Sequence, residues 1–335
     1  MLENWTNIFI YHIKNNKLFT ALNVLGLSIG IAGLIFSILY WNEEHSYNQW
    51  NPAKNHVFAT SISLDNIKFY GSAVSALGPS FKKSIPEIDS YCYVNPLYNS
   101  GVIEYKGKKI LSEKIIDSQN NFFSYFPFHF ISGSATNALK DAESIVISIE
   151  TSKKLFGNEN PLNKQVFYNK TFFTVKGIYK ITGKSSFEPS AVINQIDSNL
   201  KQEEDNWSVF QFGLLIKLKN PKDAEKVRTK IENLYYKNKT IHDAKVMGIS
   251  VEKFIERYGN INVLIESIKD LHFTKADGFP EEKGNFQFLA IACSLSILIL
   301  ILSIVNYINL ATANAIKRAK EESTSNPSFT KKKGK

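Results

Sequence analysis

The segment GIYKITGKSS (residues 177–186) carries the glycines, lysine and serines of a phosphate-cradling loop. In such a loop backbone N–H groups surround the phosphates, while the lysine and the hydroxyl reach phosphate oxygens and Mg²⁺. The spacing does not fit that chemistry. Five residues separate Gly177 from Gly183, where the motif needs about four, and the segment follows a predicted hairpin, so it reads as a turn. Metal chemistry has no better support: His12, His45, His56, His129, His242 and His272 form no i,i+4 pair and have no neighbouring Cys. Glu203 and Glu204 lie in a solvated charge cluster, KQEEDN, which suits a loop better than a catalytic dyad. A nucleophile elbow and an HExxH helix are both missing. The expected result is a chain with no catalytic, metal or cofactor-binding residues, and no enzyme. A membrane-anchored hydrolase has no recognisable nucleophile to stand on.

The densest aromatic cluster is NFFSYFPFHFISG. Exposed, its Phe122, Phe123, Phe126 and Phe128 would make an apolar contact surface for a peptide or a lipid tail. Buried, with Tyr125 and Phe130, they would pack a core, the use that aromatic rings more often have in small mixed domains.

The elements that would carry these residues follow from hydropathy and charge. Of 335 residues, 44% are hydrophobic and 21% charged, too apolar for a disordered chain. No Asp, Glu, Lys or Arg occurs from Leu18 to Asn42 or from Asn285 to Ile316. Each run exceeds the ~20 residues that cross a ~30 Å hydrocarbon layer as a helix, so a simple soluble protein is excluded. The first run is too long for a signal-peptide core and exits through the bulky SILYWNEE, so it reads as a retained anchor. The net charge of +9 suggests nucleic acid until it is located: residues 42–285 hold 31 basic and 28 acidic side chains, which leaves most of the excess at the two ends. Lys14 and Lys17 precede the first run, and Lys317, Arg318 and Lys320 follow the second, whereas the facing flanks carry Glu43, Glu44, Glu281 and Glu282. By the positive-inside rule both termini are cytoplasmic and the long middle segment is outside, with no role for nucleic acid. Cys92 and Cys293 lie in different segments, so no disulfide is expected.

The organisation expected is an interfacial helix over 1–17, a transmembrane helix over 18–41, an extracytoplasmic α+β domain over 42–285, a second transmembrane helix over 286–310 and a cytoplasmic basic tail over 311–335, whose ESTSNPSFTKKKGK end reads as disordered. Gly26 and Gly30 have the small-xxx-small spacing, with Gly33 one turn on, and offer a flat face for another helix. In the middle segment VIEYKGKKILSEKII reads as a hairpin turning at Lys106 and Gly107, and QVFYNKTFFTVKGIY as one turning at Asn169 and Lys170. WSVFQFGLLIKL reads as a buried strand. After it Asn220 caps a helix with Pro221 at its first position, which buries Ala224, Val227, Ile231, Leu234 and Tyr235.

Several segments then fall in a familiar order: NIFIYHIKNNKLFTALNVLGLSIGIAGLIF, NEEHSYNQWNPAKNHVFAT, LGPSFKKSIPEID, NNFFSYFPFHFISGSATNALKDAESIVIS, SKKLFGNENPLNKQV, FFTVKGIY and NYINLATANAIKRAKE. Taken together, over nearly the whole chain, they resemble the N-terminal half of a MacB/FtsX-like ABC transporter permease of the type frequent in Bacteroidetes. The resemblance implies a MacB-like periplasmic core domain between the two spans, with a porter-like part around residues 54–100 and 200–275 and a second subdomain inserted between. It implies a permease subunit in the bacterial inner membrane that passes motion from a separate cytoplasmic ATPase to a periplasmic domain, for export of peptides, lipoproteins or small toxic compounds. ATP would bind the ATPase and nothing would bind it here. The partners implied are an ABC ATPase subunit, a second permease chain or missing permease half, periplasmic adaptor or envelope proteins, and the lipid bilayer. The family continues past KRAKE into a coupling helix and further spans, whereas this chain turns into its polar tail, so a half-permease or a truncated product is expected. The competing expectation is a two-span sensor or scaffold whose outer domain binds a ligand or protein without ATP-driven motion.

Overall fold

The computed structural model describes residues 17–65, 67–71, 73–274 and 283–324. Helix α1 (Lys17–Glu44) leads through a run of turns to β1 (Val57–Leu64), β2 (Ile67–Gly71), β3 (Ala73–Val74), α2 (Leu77–Ser84) and β4 (Ile88–Val94). Next come β5 (Asn99–Tyr105), β6 (Lys108–Asp117), α3 (Phe122–Tyr125), β7 (His129–Gly133), β8 (Ser144–Ser148), α4 (Ile149–Phe156), β9 (Gln165–Tyr168), β10 (Thr171–Lys180) and β11 (Ala191–Ile193). The chain returns through α5 (Ile196–Gln202), β12 (Phe210–Leu218), α6 (Ala224–Tyr235), α7 (Ile241–Val246), α8 (Val251–Tyr258) and β13 (Ile261–Ser267), and ends in α9 (Phe286–Thr324). Two units result: α1 with α9, and His45–Gly284.

In the helical unit α1 and α9 contain windows, Val24–Glu44 and Phe286–Asn309, long and apolar enough to cross a membrane, and most of each is exposed within the chain. A soluble protein hides such helices in its core. Helix α9 continues past residue 310 to Thr324, so the basic tail expected over 311–335 begins as helix. ATANAIKRAKEE is made largely of good helix formers, and no proline occurs between Phe286 and Pro327. The expected interfacial helix, Lys14, Glu281, Glu282 and the tail beyond Thr324 lie outside the described residues.

The second unit contains two sheets. The first runs β13–β1–β12–β3, with β2 on β1 and β4 on β12, antiparallel throughout. Its strands come from residues on both sides of an insertion, as the porter-like part requires. Side chains alternate across it. Phe58, Ile62, Tyr93, Leu214 and Ile216 pack with Leu77, Phe81, Val227, Ile231 and Tyr235 of α2 and α6, while Val57, Ala59, Cys92, Val94 and Leu215 pack on the other face. Asn220 accepts from the Lys222 N–H ahead of α6, and Pro221 opens the turn.

The second sheet is the insertion. Its order is β7–β10–β8–β11–β6–β5–β9, and β9 also pairs with β10, so six strands close into a ring. Closure removes exposed edges. Both hairpins turn where expected, with positive φ at Lys106 (49°), Gly107 (79°), Asn169 (46°) and Lys170 (64°), the backbone that a two-residue primed turn demands. Ile103, Tyr105, Val166, Tyr168, Phe173 and Val175 point into the ring with Leu155 and Phe156 of α4.

The aromatic cluster lies between the sheets. Phe122, Phe123, Phe126 and Phe128 are 0%, 3%, 0% and 4% exposed. They do not form an apolar contact surface; they are core. The short α3 turns its rings onto the second face of the first sheet, where they meet Tyr179 and Phe187 from the insertion. Aromatic burial of this kind joins the two subdomains into one packed body.

Candidate functional site

Among the described residues no group of three His, Cys, Asp or Glu side chains is placed to hold a metal ion. His272 is stacked on Tyr47 at 3.5 Å between ring centroids, and His12 lies outside the described residues. Glu203 sits just past the end of α5, and its carbonyl accepts from the Ser75 hydroxyl at 2.5 Å.

What the fold does assemble is a junction where the chain enters and leaves the outer domain. β1 pairs with β13 from Phe58 opposite Ser267, and the pairing is extended by Ile268 N–H to Val57 O (3.0 Å) and Ser267 Oγ to Lys54 O (2.7 Å). Rings add to it: Tyr47 on His272, and His45 against Phe273 at 4.9 Å. Entering and leaving segments therefore form one rod.

Asn48 ties that rod to the insertion. It is buried with φ of 58°, a left-handed conformation that asparagine tolerates better than most residues. Its Nδ2 donates to Ile268 O (2.5 Å) and Ser186 Oγ (2.8 Å), and its Oδ1 accepts from Ser186 N–H (2.9 Å) and Ser185 Oγ (3.3 Å). Its backbone N–H donates to Lys184 O at 2.8 Å. Trp50 Nε1 donates to the same carbonyl (3.0 Å) with its ring 5.4 Å from Phe128, and Asn51 Nδ2 donates to Tyr125 O (2.7 Å). Gly183 has φ of 101°, and a Cβ there would lie 3.2 Å from Trp50 Cδ1. The TGKSS that resembles part of a phosphate loop is thus the loop clamped by Asn48 and Trp50. Sequence reading found the loop and missed its partners; NEEHSYNQWN carried a signal only in the polar and aromatic residues that follow the first span in the sequence.

A second crossing sits where the insertion leaves and rejoins the first sheet. Asp117 Oδ1 accepts from Gln195 N–H (2.8 Å) and Ile196 N–H (3.0 Å) at the start of α5, while Asn95 N–H donates to Asp117 O (2.7 Å). Burial pushes the Asp117 carboxyl up to about 6, against the two N–H groups that favour its charge.

In the helical unit the three glycines face α9, which runs antiparallel to α1. A Cβ on Gly26 would stand 3.0 Å from Ser303 Oγ, on Gly30 3.1 Å from Leu300 Cα, and on Gly33 3.0 Å from Ser296 Oγ. Ser37 Oγ and Ser296 Oγ are 3.2 Å apart one turn further on. The antiparallel pairing puts Lys17, at the start of α1, at the same end as Lys317, Arg318 and Lys320 of α9. The opposite end carries Trp41 against Phe286 and Tyr40 edge-on to Phe288, the aromatic composition of a membrane–water boundary.

Comparison with known proteins agrees with this architecture. No curated protein matches the chain. Among solved structures, a domain of a candidate permease from Porphyromonas gingivalis is similar over 72% of this chain and 98% of its own, with 14% identity and a TM-score of 0.52. The periplasmic region of MacB from Actinobacillus actinomycetemcomitans aligns with 65% of this chain and 93% of its own (13% identity, TM-score 0.43). The extracellular domain of the noncanonic ABC-type transporter YknZ from Gram-positive bacteria aligns with 62% and 99% (11% identity, TM-score 0.42). The first likeness supports the fold. The model of the MacB-like periplasmic core domain matches residues 20–234, well over half of the sequence, and the chain belongs to that family, that of the outer domains of ABC-type permeases.

Proposed function

We propose that this chain is a permease subunit of an ABC-type transporter or mechanotransmission complex, with both termini cytoplasmic and the outer domain periplasmic. A separate cytoplasmic ATPase binds and hydrolyses ATP, and this chain holds no nucleotide. The two helices pass the ATPase's motion to the outer domain, which acts on peptides, lipoproteins or small toxic compounds for export, alongside a second permease chain or permease half. The observation that carries the reading is the Asn48 junction: the entering segment, the leaving segment and the inserted subdomain are bonded through one buried side chain. A displacement of the rod therefore displaces the insertion, since a close-packed interior transmits strain instead of absorbing it. The clustering of Lys17, Lys317, Arg318 and Lys320 at one end of the helix pair supports the orientation.

The test is purification of the intact membrane complex from sealed cells. An ABC ATPase should co-purify, and ATP should change the distance between spin labels at positions 106 and 246 in the outer domain. Repeated purification without an ATPase would overturn the transport reading in favour of a two-span sensor or scaffold. An impermeant label that reaches a probe at Lys332 and spares one at Lys106 would overturn the orientation.

A further inference from the structure

The inserted ring has one outward patch that breaks its own rule. Residues pointing away from a closed ring in water are expected to be polar, yet Leu111, Val102, Phe167 and Phe172 are 65%, 48%, 37% and 60% exposed. The register makes them neighbours. Val102 lies opposite Leu111, Phe167 opposite Phe172 with ring centroids 5.0 Å apart, and Glu104, two residues from Val102, lies opposite Phe167. An apolar strip therefore crosses four strands. Lysines surround it: Lys106, Lys108 and Lys109 at one hairpin, Lys170 at the other, and Lys164 just before β9. Of the nearby carboxylates, Glu104 pairs with Lys109 (3.4 Å) and Glu159 with Lys106 (3.3 Å) and Lys164 (3.1 Å), and the exposed Glu113 lies two residues from Leu111 on β6. The net local charge is positive.

We infer that this strip is a docking surface for a partner protein whose contacting segment presents apolar or aromatic side chains among Asp and Glu residues. Charge selects that occupant. A second copy meeting the strip through its own would set lysines against lysines, and like charges facing each other suppress such a pairing. An anionic lipid surface fits the charge but not the shape. The hairpin tips that would enter a bilayer are Lys106–Gly107 and Asn169–Lys170, with no apolar residue to insert, and the phenylalanines lie on the sheet face behind them. The apolar strip supplies the desolvated centre of an interface and the lysines its rim. The surface belongs to the outer domain and does not depend on ATP-driven motion.

The test uses the full chain in neutral-lipid nanodiscs and a fluorescent peptide alternating Asp with Phe and Leu. Binding is expected, weakened at least tenfold by Phe167→Ser/Phe172→Ser and by Lys108→Glu/Lys170→Glu, and weakened by added salt. Unchanged thermal unfolding of both variants establishes that they fold, and the lysine variant keeps the test valid if the phenylalanine variant does not. The inference is overturned by any of four results: no binding of the acidic peptide, equal binding of a Lys-for-Asp peptide, displacement of the peptide by phosphatidylglycerol vesicles, or cross-linking of two copies through a photoreactive group at position 172.

Discussion

The seam between α1 and α9 and the weld between the two outer sheets solve the same problem in opposite ways. The helix seam is built from Gly26, Gly30, Gly33, Ser37, Ser296 and Ser303, with backbone approach and one hydroxyl pair. The outer weld is built from Phe122, Phe123, Phe126, Phe128, Tyr179 and Phe187. The difference follows the solvent. In hydrocarbon, apolar side chains gain nothing by leaving the surroundings, so close contact and hydrogen bonds must hold helices together. In water, burial of large rings is the main driving force, and they collect where two layers meet.

The strongest way to break the weld is Phe126→Ala, which empties a fully buried site and should destabilise the outer domain by about 3–5 kcal/mol. Urea unfolding followed by tryptophan fluorescence would measure it, and a loss under about 1 kcal/mol would show that the rings do not bear the stability. Asn48→Ala removes the clamp and leaves Ser186 and the Ile268 carbonyl buried without that partner, for an expected loss of about 2–4 kcal/mol. Hydrogen exchange should speed up at residues 184–186; unchanged protection there would contradict a clamp.

The seam responds to bulk instead. Gly30→Leu forces the helices apart at a backbone contact, with an expected cost of about 1–3 kcal/mol to the pair and none to the outer domain. The readout is loss of a disulfide between Cys residues placed at Gly26 and Ser303 while membrane insertion and outer-domain melting stay constant. Gly26→Leu should behave alike, read by a disulfide between Cys residues placed at Gly33 and Ser296, and both are expected to impair complex assembly.

Asp117 sharpens the comparison through pH. Its carboxyl titrates near 6 in the folded domain and at a reference value of 3.8 when unfolded. Between those values the folded state binds more protons, so stability should fall as pH rises from about 4 to about 6. Asp117→Asn retains an oxygen acceptor for Gln195 and Ile196, should flatten that dependence, and should stabilise the domain at pH 8 by about 1–2 kcal/mol. A melting temperature as pH-dependent as the parent's would refute it. The smallest effect belongs to Ser37→Ala, about 0.6 kcal/mol in the helix pair, read by the same disulfide assay.

Glu87 works in the opposite direction from Asp117. It holds Lys226 (2.8 Å) and Lys230 (2.7 Å) on the first turns of α6, and these bonds lower its carboxyl to about 2. Its contribution is present above the normal carboxylate range and is lost as pH falls through about 2.

Much of the outer fold was legible because its signals are local. The hairpin turns at Lys106–Gly107 and Asn169–Lys170 are set by which residues accept positive φ, and the Asn220–Pro221 start of α6 by capping chemistry. The aromatic cluster was legible in kind but not in place, because ring burial depends on what covers it. The Asn48 site was not legible, since Asn48, Ser186 and Ile268 are brought together by pairings across more than a hundred residues.

Sequence alone determined the two apolar spans, the charge at their ends and the α+β class, because hydropathy and turn chemistry act over short stretches, while the outline of an insertion came only as an implication of the family resemblance. Tertiary structure decided that the phosphate-loop lookalike is a clamped strut, that the phenylalanines are a weld, and that an exposed apolar strip lies on the inserted ring. Each depends on partners distant in the chain, and a hydrogen bond or a buried ring has no meaning until its other half is in place.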